Sequence, residues 1–309
     1  MAAGKASGSK MKALTWLSAF WDLSSLTPMR LFVFLVMLFF APPAMAGGAW
    51  VDFMSAEGTV IRGWLATPPW KGPHPGVVMM HSCFGPVTKS DELATHDAAW
   101  VDILTKAGYV VLVADSYTPR GQGSLCQVRD RPVLARAERP WDAIGALQFL
   151  QERSDVKADR IALMGWSNGA ISLLWTVRNG ASAATALDGP DFRTAVGFYP
   201  YCNDIQTQLP DYRPRIPVLL QIGDKDDWTL PEPCQLLVSE TRSRGGDMMI
   251  DIYNGAFHLF DAPNTPLREF MAVGGSDESS MNRIHFGTNK IAREKAIQRT
   301  LNWLAERLR

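Results

Sequence analysis

Short apolar runs alternate with amphipathic stretches along most of this chain, and this alternation constrains the fold more than any other feature of the sequence. Runs without polar interruption are typical of strands that are buried on both faces, whereas apolar residues three or four apart indicate helices. The predicted strands are at 60–66, 76–80, 110–114, 161–164, 195–198, 218–222 and 249–253, and the predicted helices are at 91–107, 141–153, 232–244 and 290–308. Strands and helices in turn predict an α/β fold with a mostly parallel, doubly wound sheet that carries helices on both faces, and the first strand, 60–66, is expected to be antiparallel.

The composition excludes several other classes of protein. The 309 residues include 31 basic and 31 acidic side chains and are 47% hydrophobic, so the chain is neither a disordered polymer nor a basic nucleic-acid binder. The sequence has no CxxC and no HExxH pattern, and we therefore predict no metal site. Because no repeat or linker interrupts the pattern, residues 47–309 are expected to form a single domain.

The amino terminus has the features of a cleaved signal peptide. Basic residues precede the apolar run 31–40, which is too short to cross a bilayer, and small residues follow at Ala44 and Ala46. We predict cleavage after Ala46, which removes residues 1–46. The alternative is an uncleaved anchor that starts near Leu14, but Asp22 and Pro28 interrupt it. The mature protein is expected to be periplasmic or secreted and not bound to a membrane.

All four cysteines follow the predicted cleavage point, and an exported protein can form disulfides between them. Four cysteines allow three pairings. Cys202 and Cys234 each follow a predicted strand at the same end of the sheet, so we favour their pairing, which leaves Cys83 with Cys126.

The segment GWSNG, residues 165–169, lies between a predicted strand and a helix-prone run. This is the context in which a G-x-S-x-G sequence presents a nucleophilic serine on a tight turn. The glycines avoid collisions with the neighbouring strand and helix, and the helix amino terminus supplies donors for an oxyanion. Ser167 is therefore the candidate nucleophile.

A serine nucleophile needs a base and a carboxylate that orients the base, and both follow predicted strands further along the chain. His258 comes after the strand at 249–253, and Asp226 comes after the strand at 218–222. Because the carboxyl ends of parallel strands meet at one edge of the sheet, these residues are expected to converge on Ser167. Asp224 and Asp227 remain alternatives for the carboxylate.

Four segments, HSCFG (81–85), GWSNG (165–169), GDKDDWTLP (223–231) and YNGAFHLFD (253–261), resemble the corresponding blocks of the dienelactone hydrolase family within the α/β-hydrolases. The resemblance implies a nucleophile at Ser167, an acid at Asp226 and a base at His258. It also implies an oxyanion hole formed by the backbone N–H groups of Cys83 and Asn168, without a metal or organic cofactor. The loop that contains His81 would support this geometry.

This chain departs from dienelactone hydrolase at positions that matter for substrate. The family's cysteine nucleophile is Ser167 here, the glutamate that influences the thiol is Ser82, and one of two arginines that bind the substrate carboxylate is Ala262, which leaves Arg120 as the match for the other. We expect an ester or lactone substrate, with Arg120 and the aromatic residues Tyr117 and Trp166 as its candidate contacts. The alternatives are a solvated or structural role for Arg120 in its loop and packing of some of the aromatic residues under the site. Further aromatic residues near the expected site are Phe84, Trp228, Phe257 and Phe260.

Three other functions share these features. A peptidase on this fold usually carries an additional amino-terminal domain, for which the predicted first strand at 60 leaves little room. An acyltransferase would differ only in the acceptor of the acyl group. An exported binding protein without activity would tolerate loss of the serine, histidine and aspartate. All three candidate residues are present, which argues against this function. The oligomeric state stays open.

Overall fold

The computed structural model describes residues 47–274 and 277–308, so the predicted signal peptide, 1–46, lies outside the described residues. Its main feature is an eight-stranded sheet in the order β1-β2-β4-β3-β5-β6-β7-β8. Strands β1 and β2 pair antiparallel with each other, β2 also pairs antiparallel with β4, and the remaining neighbours are parallel. The strands are β1 (Gly48–Met54), β2 (Val60–Ala66), β3 (His74–Met80), β4 (Val110–Asp115), β5 (Val156–Trp166), β6 (Thr194–Phe198), β7 (Val218–Gly223) and β8 (Met248–Tyr253).

Helices cover both faces of this sheet, as the sequence predicts. They are α1 (Thr95–Lys106), α2 (Glu138–Gln151), α3 (Asn168–Val177), α4 (Cys202–Gln208), α5 (Pro231–Ser243) and α6 (Lys290–Arg307). Strands β3, β4, β6 and β7 are almost entirely buried, which explains their continuous apolar sequences. Within the described ranges, no helix combines the length and the apolar character that crossing a bilayer requires.

Helix α2 packs very closely against the end of β1. A Cβ atom at Gly145 would collide with the backbone of Met54 and Ser55, and the N–H of Ala56 donates to the carbonyl of Trp141 at 3.0 Å. The glycine within this helix is therefore required for a close approach between two backbones, although glycine lowers helix propensity.

The structure contains elements that the sequence pattern does not predict. Strand β1 begins at Gly48, so the expectation that the sheet starts at residue 60 is wrong. This edge strand is only partly buried and lacks an apolar run. Strands β9 (Arg268–Gly274) and β10 (Asp277–Phe286) form a separate antiparallel hairpin before α6. Helix α1 starts at Thr95 rather than at 91, because the segment before it forms a turn in which the N–H of Ala94 donates to the carbonyl of Pro86.

Both disulfides of the expected pairing are present. Cys202 is bonded to Cys234, and Cys83 is bonded to Cys126. The first joins α4 to α5. The second joins the loop after β3 to the segment between β4 and α2, which brings two loops at the carboxyl ends of neighbouring strands together.

Candidate active site

Ser167 occupies the turn between β5 and α3, as the G-x-S-x-G pattern predicts. Its backbone is in an unusual region, with φ 51° and ψ −115°, and its N–H donates to the carbonyl of Phe198 at 2.9 Å. The two flanking glycines have the predicted steric role. A Cβ atom at Gly165 would collide with the backbone of Gly169, and a Cβ atom at Gly169 would collide with the carbonyls of Met80 and His81. Strain of this kind is common where a side chain must be presented for chemistry.

Asp226 and His258 form a buried pair. Nδ1 of His258 lies 2.8 Å from Oδ2 of Asp226, and both side chains are almost fully inaccessible to solvent. The other carboxylate oxygen of Asp226 accepts the backbone N–H groups of Trp228 (3.0 Å) and Thr229 (2.9 Å). The Thr229 hydroxyl lies 3.1 Å from Oδ2 and also 3.1 Å from the carbonyl of Tyr199. The carboxylate is therefore held in one orientation by His258 and two backbone N–H groups.

The two alternative carboxylates have other partners. Asp224 accepts the backbone N–H of Gly255 at 2.6 Å, and Asp227 pairs with His285, whose Nδ1 lies 2.6 Å from Oδ2. The Asp227 hydrogen bond raises the pKa of His285. Of the three aspartates, Asp226 is the one bonded to His258.

The bond to Asp226 fixes the tautomer of His258. A histidine whose Nδ1–H donates to a carboxylate presents the lone pair of Nε2. Nε2 is buried and has no hydrogen-bond partner within the described part of the chain, so the expected bond to the Ser167 hydroxyl is not formed in this structure. Bonds of this type often tighten only when substrate binds. The imidazole ring packs against Trp228 and Tyr199, with centroid separations of 4.7 and 4.3 Å.

A cavity lies beside Ser167, and the predicted oxyanion-hole residues contribute to its wall. Asn168 is the first residue of α3, where backbone N–H groups have no partner within the helix. Cys83 lies in the loop after β3. The residues that line the cavity are Cys83, Arg129, Arg131, Leu134, Ala135, Arg136, Ser167, Asn168, Ile171, Tyr201, Asp204, Trp228, Thr229 and Val273.

His81 is a packed histidine in the loop before Cys83. The backbone N–H of Ser116 donates to its Nε2 at 3.2 Å, so Nδ1 carries the proton and donates to the carbonyl of Ser82 at 2.7 Å. Burial, together with the charge of Arg139, lowers the pKa of His81 well below the usual value. The ring is therefore neutral and serves to hold the loop.

The three expected substrate contacts do not line the cavity. Arg120 forms a two-point ion pair with Asp142, at 2.8 Å on each side, and these contacts hold its guanidinium away from the cavity. Trp166 is fully buried beneath Ser167 and donates its indole N–H to Asp261 at 2.9 Å. Tyr117 is also buried, and its hydroxyl donates to the side-chain oxygen of Asn168 at 3.1 Å. Tyr117 thus contacts a predicted site residue rather than the cavity.

Three arginines outside the sequence motifs line the cavity instead. Arg129, Arg131 and Arg136 lie in residues 127–137, which we call the arginine segment. None of the three forms an ion pair with any residue in the described ranges. The spacing R-x-R-x4-R in this segment was visible in the sequence, but nothing local linked it to Ser167. The link is long-range, through the bond between Cys83 and Cys126.

The β9–β10 hairpin also contributes to the site. Val273 lines the cavity, and its carbonyl accepts the indole N–H of Trp228 at 3.1 Å. The N–H of Val273 donates to the carbonyl of Cys126 at 3.2 Å, and the N–H of Gly287 donates to the carbonyl of His258 at 3.0 Å. The hairpin is therefore bonded both to the loop of the candidate base and to Cys126, the residue before the arginine segment.

Known proteins similar to this chain agree with the architecture. A sequence model described as the dienelactone hydrolase family matches residues 61–308. A Bradyrhizobium protein named "Probable 2-oxo-3-(5-oxofuran-2-ylidene)propanoate lactonase" is 27% identical over 231 residues, which cover 68% of this chain and 83% of that protein.

Two solved structures share the α/β-hydrolase fold at low identity. A dienelactone hydrolase-like promiscuous phosphotriesterase from metagenomic libraries is 18% identical, with a TM-score of 0.61, and the match covers 86% of this chain and 100% of that one. A thermophilic esterase from Thermogutta terrifontis, in its propionate-bound form, is 15% identical, with a TM-score of 0.57, and the match covers 86% and 96%.

Proposed function

Because the chain belongs to the dienelactone hydrolase family and is a carboxylic ester hydrolase, we propose that it cleaves esters or lactones through an acyl-enzyme on Ser167. The observation that carries this proposal is a strained serine turn in the wall of a cavity that also contains Trp228 and Thr229, the residues that contact the buried Asp226–His258 pair. The serine replaces the cysteine nucleophile of dienelactone hydrolase itself. No cofactor is required for this chemistry.

The reaction has two stages. Nε2 of His258 accepts the Ser167 hydroxyl proton as the oxygen attacks the carbonyl carbon, and Asp226 stabilises the resulting imidazolium. The oxyanion is bound by the N–H groups of Cys83 and Asn168, each worth about 3 kcal/mol in comparable sites. The imidazolium then protonates the leaving alkoxide. Water, activated by the same histidine, attacks the acyl-enzyme and releases the acid.

The cavity charge favours a substrate that carries a negative group. Arg129, Arg131 and Arg136 have no ion-pair partner in the described residues, and Asp204 is the one carboxylate on the same wall. Leu134, with other apolar residues of this wall, would contact the uncharged part of the substrate. We infer that anionic esters or lactones are preferred over neutral ones, with the anion bound by the arginine segment.

The first experiment tests the nucleophile. Ser167→Ala should abolish hydrolysis of p-nitrophenyl butyrate and covalent labelling by a fluorophosphonate probe, whereas Ser182→Ala, at an exposed serine of a distant turn, should retain both. Full labelling of the Ser167 variant would refute the assignment. Product analysis with an added alcohol separates hydrolysis from acyl transfer.

The second experiment tests the charge preference with two substrates of equal acyl length. The kcat/KM ratio of p-nitrophenyl hemisuccinate to p-nitrophenyl butyrate should exceed one and should fall with ionic strength. Arg131→Gln and Arg136→Gln should each lower this ratio about 5-fold or more, which corresponds to about 1 kcal/mol. Arg242→Gln, at an exposed arginine in the last turn of α5, serves as the control. Equal ratios for the wild type and all three variants would contradict the inference.

We also propose that the protein acts outside the cytoplasm, in the periplasm or as a secreted enzyme, after cleavage following Ala46. The sequence pattern of residues 1–46 supports this proposal, and the two disulfides are compatible with it. Mass spectrometry of the protein from a periplasmic extract or culture medium should find Gly47 at the amino terminus. An intact Met1 in that fraction would contradict cleavage.

A further inference from the structure

We propose that Arg139 is a positioning residue that bridges the two sides of the oxyanion hole. The inference rests on the proposed function, because it presupposes that the N–H groups of Cys83 and Asn168 bind the oxyanion. Arg139 lies in the first turn of α2, outside every motif that the sequence analysis identified.

Arg139 contacts both segments that supply the proposed donors. One terminal nitrogen donates to the side-chain oxygen of Asn168 at 2.5 Å, and the other donates to the carbonyl of His81, two residues before Cys83, at 2.7 Å. Its Nε donates to the hydroxyl of Ser116 at 3.4 Å. The planar guanidinium can make these contacts at once because its five N–H groups diverge in a fixed plane, which a lysine ammonium cannot reproduce.

The charge of Arg139 has no ion-pair partner among the described residues. The side chain is fully buried, and the nearby carboxylate of Asp142 is already bonded at two points to Arg120. An unpaired buried cation costs stability, so packing alone does not account for an arginine here. The cation is held against the two segments that supply the proposed oxyanion donors, where a positive charge favours a developing negative one.

Tyr117 completes the arrangement. Its hydroxyl donates to the same side-chain oxygen of Asn168 at 3.1 Å, and the Arg139 guanidinium lies 5.2 Å from the centre of its ring. The side-chain oxygen of Asn168 thus accepts two donors and fixes the first residue of α3. The backbone N–H of Asn168 is oriented by contacts made through its own side chain.

The test compares Arg139→Gln, Arg139→Lys and Asn168→Ala by steady-state kinetics with p-nitrophenyl butyrate, with the melting temperature measured for each. Arg139→Gln should lower kcat about 10- to 100-fold with KM within 2-fold, because the lost interaction matters mainly in the transition state. Arg139→Lys should recover only part of this loss. Asn168→Ala keeps the backbone donor and removes the acceptor, and it should also lower kcat. The double variant Arg139→Gln/Asn168→Ala should lose less than the product of the two single losses.

A matched control separates positioning from stability. Arg215→Gln removes a partly buried arginine that bonds to the carbonyls of Thr176 and Arg178 and to the carboxylate of Asp191, with none of these residues in the cavity wall. It should lower the melting temperature with kcat unchanged. A folded Arg139→Gln protein with normal kcat would overturn the proposal, as would a loss confined to KM. If Arg139→Gln does not fold, normal kcat in Arg139→Lys and Asn168→Ala would overturn it. If Ser167→Ala is inactive under the same conditions, the proposed function stands even when the role of Arg139 is overturned.

Discussion

An ion pair between the fully buried Asp261 and the partly buried His96 predicts how stability depends on pH. Nε2 of His96 lies 3.0 Å from Asp261, which also accepts the indole N–H groups of Trp100 (2.8 Å) and Trp166 (2.9 Å) and the hydroxyl of Tyr199 (2.6 Å). Burial alone would lower the pKa of His96, but the charge of Asp261 and its hydrogen bond raise that pKa to about 10. The imidazole is therefore protonated in the folded protein at neutral pH.

The sign and size of the effect follow from this pKa. A group whose pKa is higher in the folded state contributes stability below its unfolded pKa, near 6.5, and this contribution is lost as the pH rises towards 10. Each pH unit between these values costs up to about 1.4 kcal/mol. The unfolded state is still partly protonated at pH 7, and the folded state begins to lose its proton near pH 9. The free energy of unfolding should therefore fall by about 2 to 3 kcal/mol between these two pH values because of His96.

Urea unfolding with intact disulfides, followed by tryptophan fluorescence at pH 7 and pH 9, measures this loss. His96→Gln removes the titrating group and should reduce the pH-dependent loss by about 2 kcal/mol. His74→Gln, at a histidine bonded to the backbone carbonyl of Trp70, is the control and should lose as much unfolding free energy between the two pH values as the wild type. If wild type and His96→Gln lose the same free energy between the two pH values, His96 does not hold its proton through this interval and the reasoning is refuted.

Two further predictions concern the serine turn and its base. Asp226→Asn should lower kcat by about 10³- to 10⁴-fold, because His258 loses the partner that fixes its tautomer. The Asp224 carboxylate does not contact His258, so Asp224→Asn should retain most of the activity in the same steady-state assay. Similar losses in both would contradict the assignment. Gly169→Ala should lower the melting temperature by several degrees or prevent folding, because the added Cβ would collide with the carbonyl of Met80. Gly123→Ala is the control: no atom lies near its added Cβ, so its melting temperature should equal that of the wild type.

The buried half of the fold could be predicted because its signal is local. Strands β4 and β7 lie within a residue of their predicted bounds, since strands covered on both faces require continuous apolar sequence. The bounds of the partly buried strand β2 also match the prediction. Edge strand β1 and the β9–β10 hairpin follow no such rule, since their side chains are partly exposed. The bond between Cys202 and Cys234 could also be predicted, because each follows a strand at the same end of the sheet, and Cys83 and Cys126 are the two cysteines that this pairing leaves.

The site was predictable only where a motif marks it. Ser167, Asp226 and His258 each follow a strand end, and their catalytic roles stay a prediction supported by the Asp226–His258 bond. Arg139 is 58 residues from the His81 carbonyl that it contacts, and no local pattern signals such a bridge. The path of the loops in the folded chain decides which residues these side chains contact. The same reason explains why Arg120, expected at the cavity, pairs with Asp142 instead.

The bond between Cys83 and Cys126 restricts how this enzyme could acquire new substrates. It closes a covalent ring that contains α1 and β4, and the arginine segment starts at the residue after Cys126. An insertion beside either cysteine would displace the loop that contains Cys83, whereas replacing an arginine side chain beyond it would leave the backbone in place. Diversification among close homologues should therefore proceed by exchange of side chains at positions 129, 131 and 136, with no insertions beside the two cysteines.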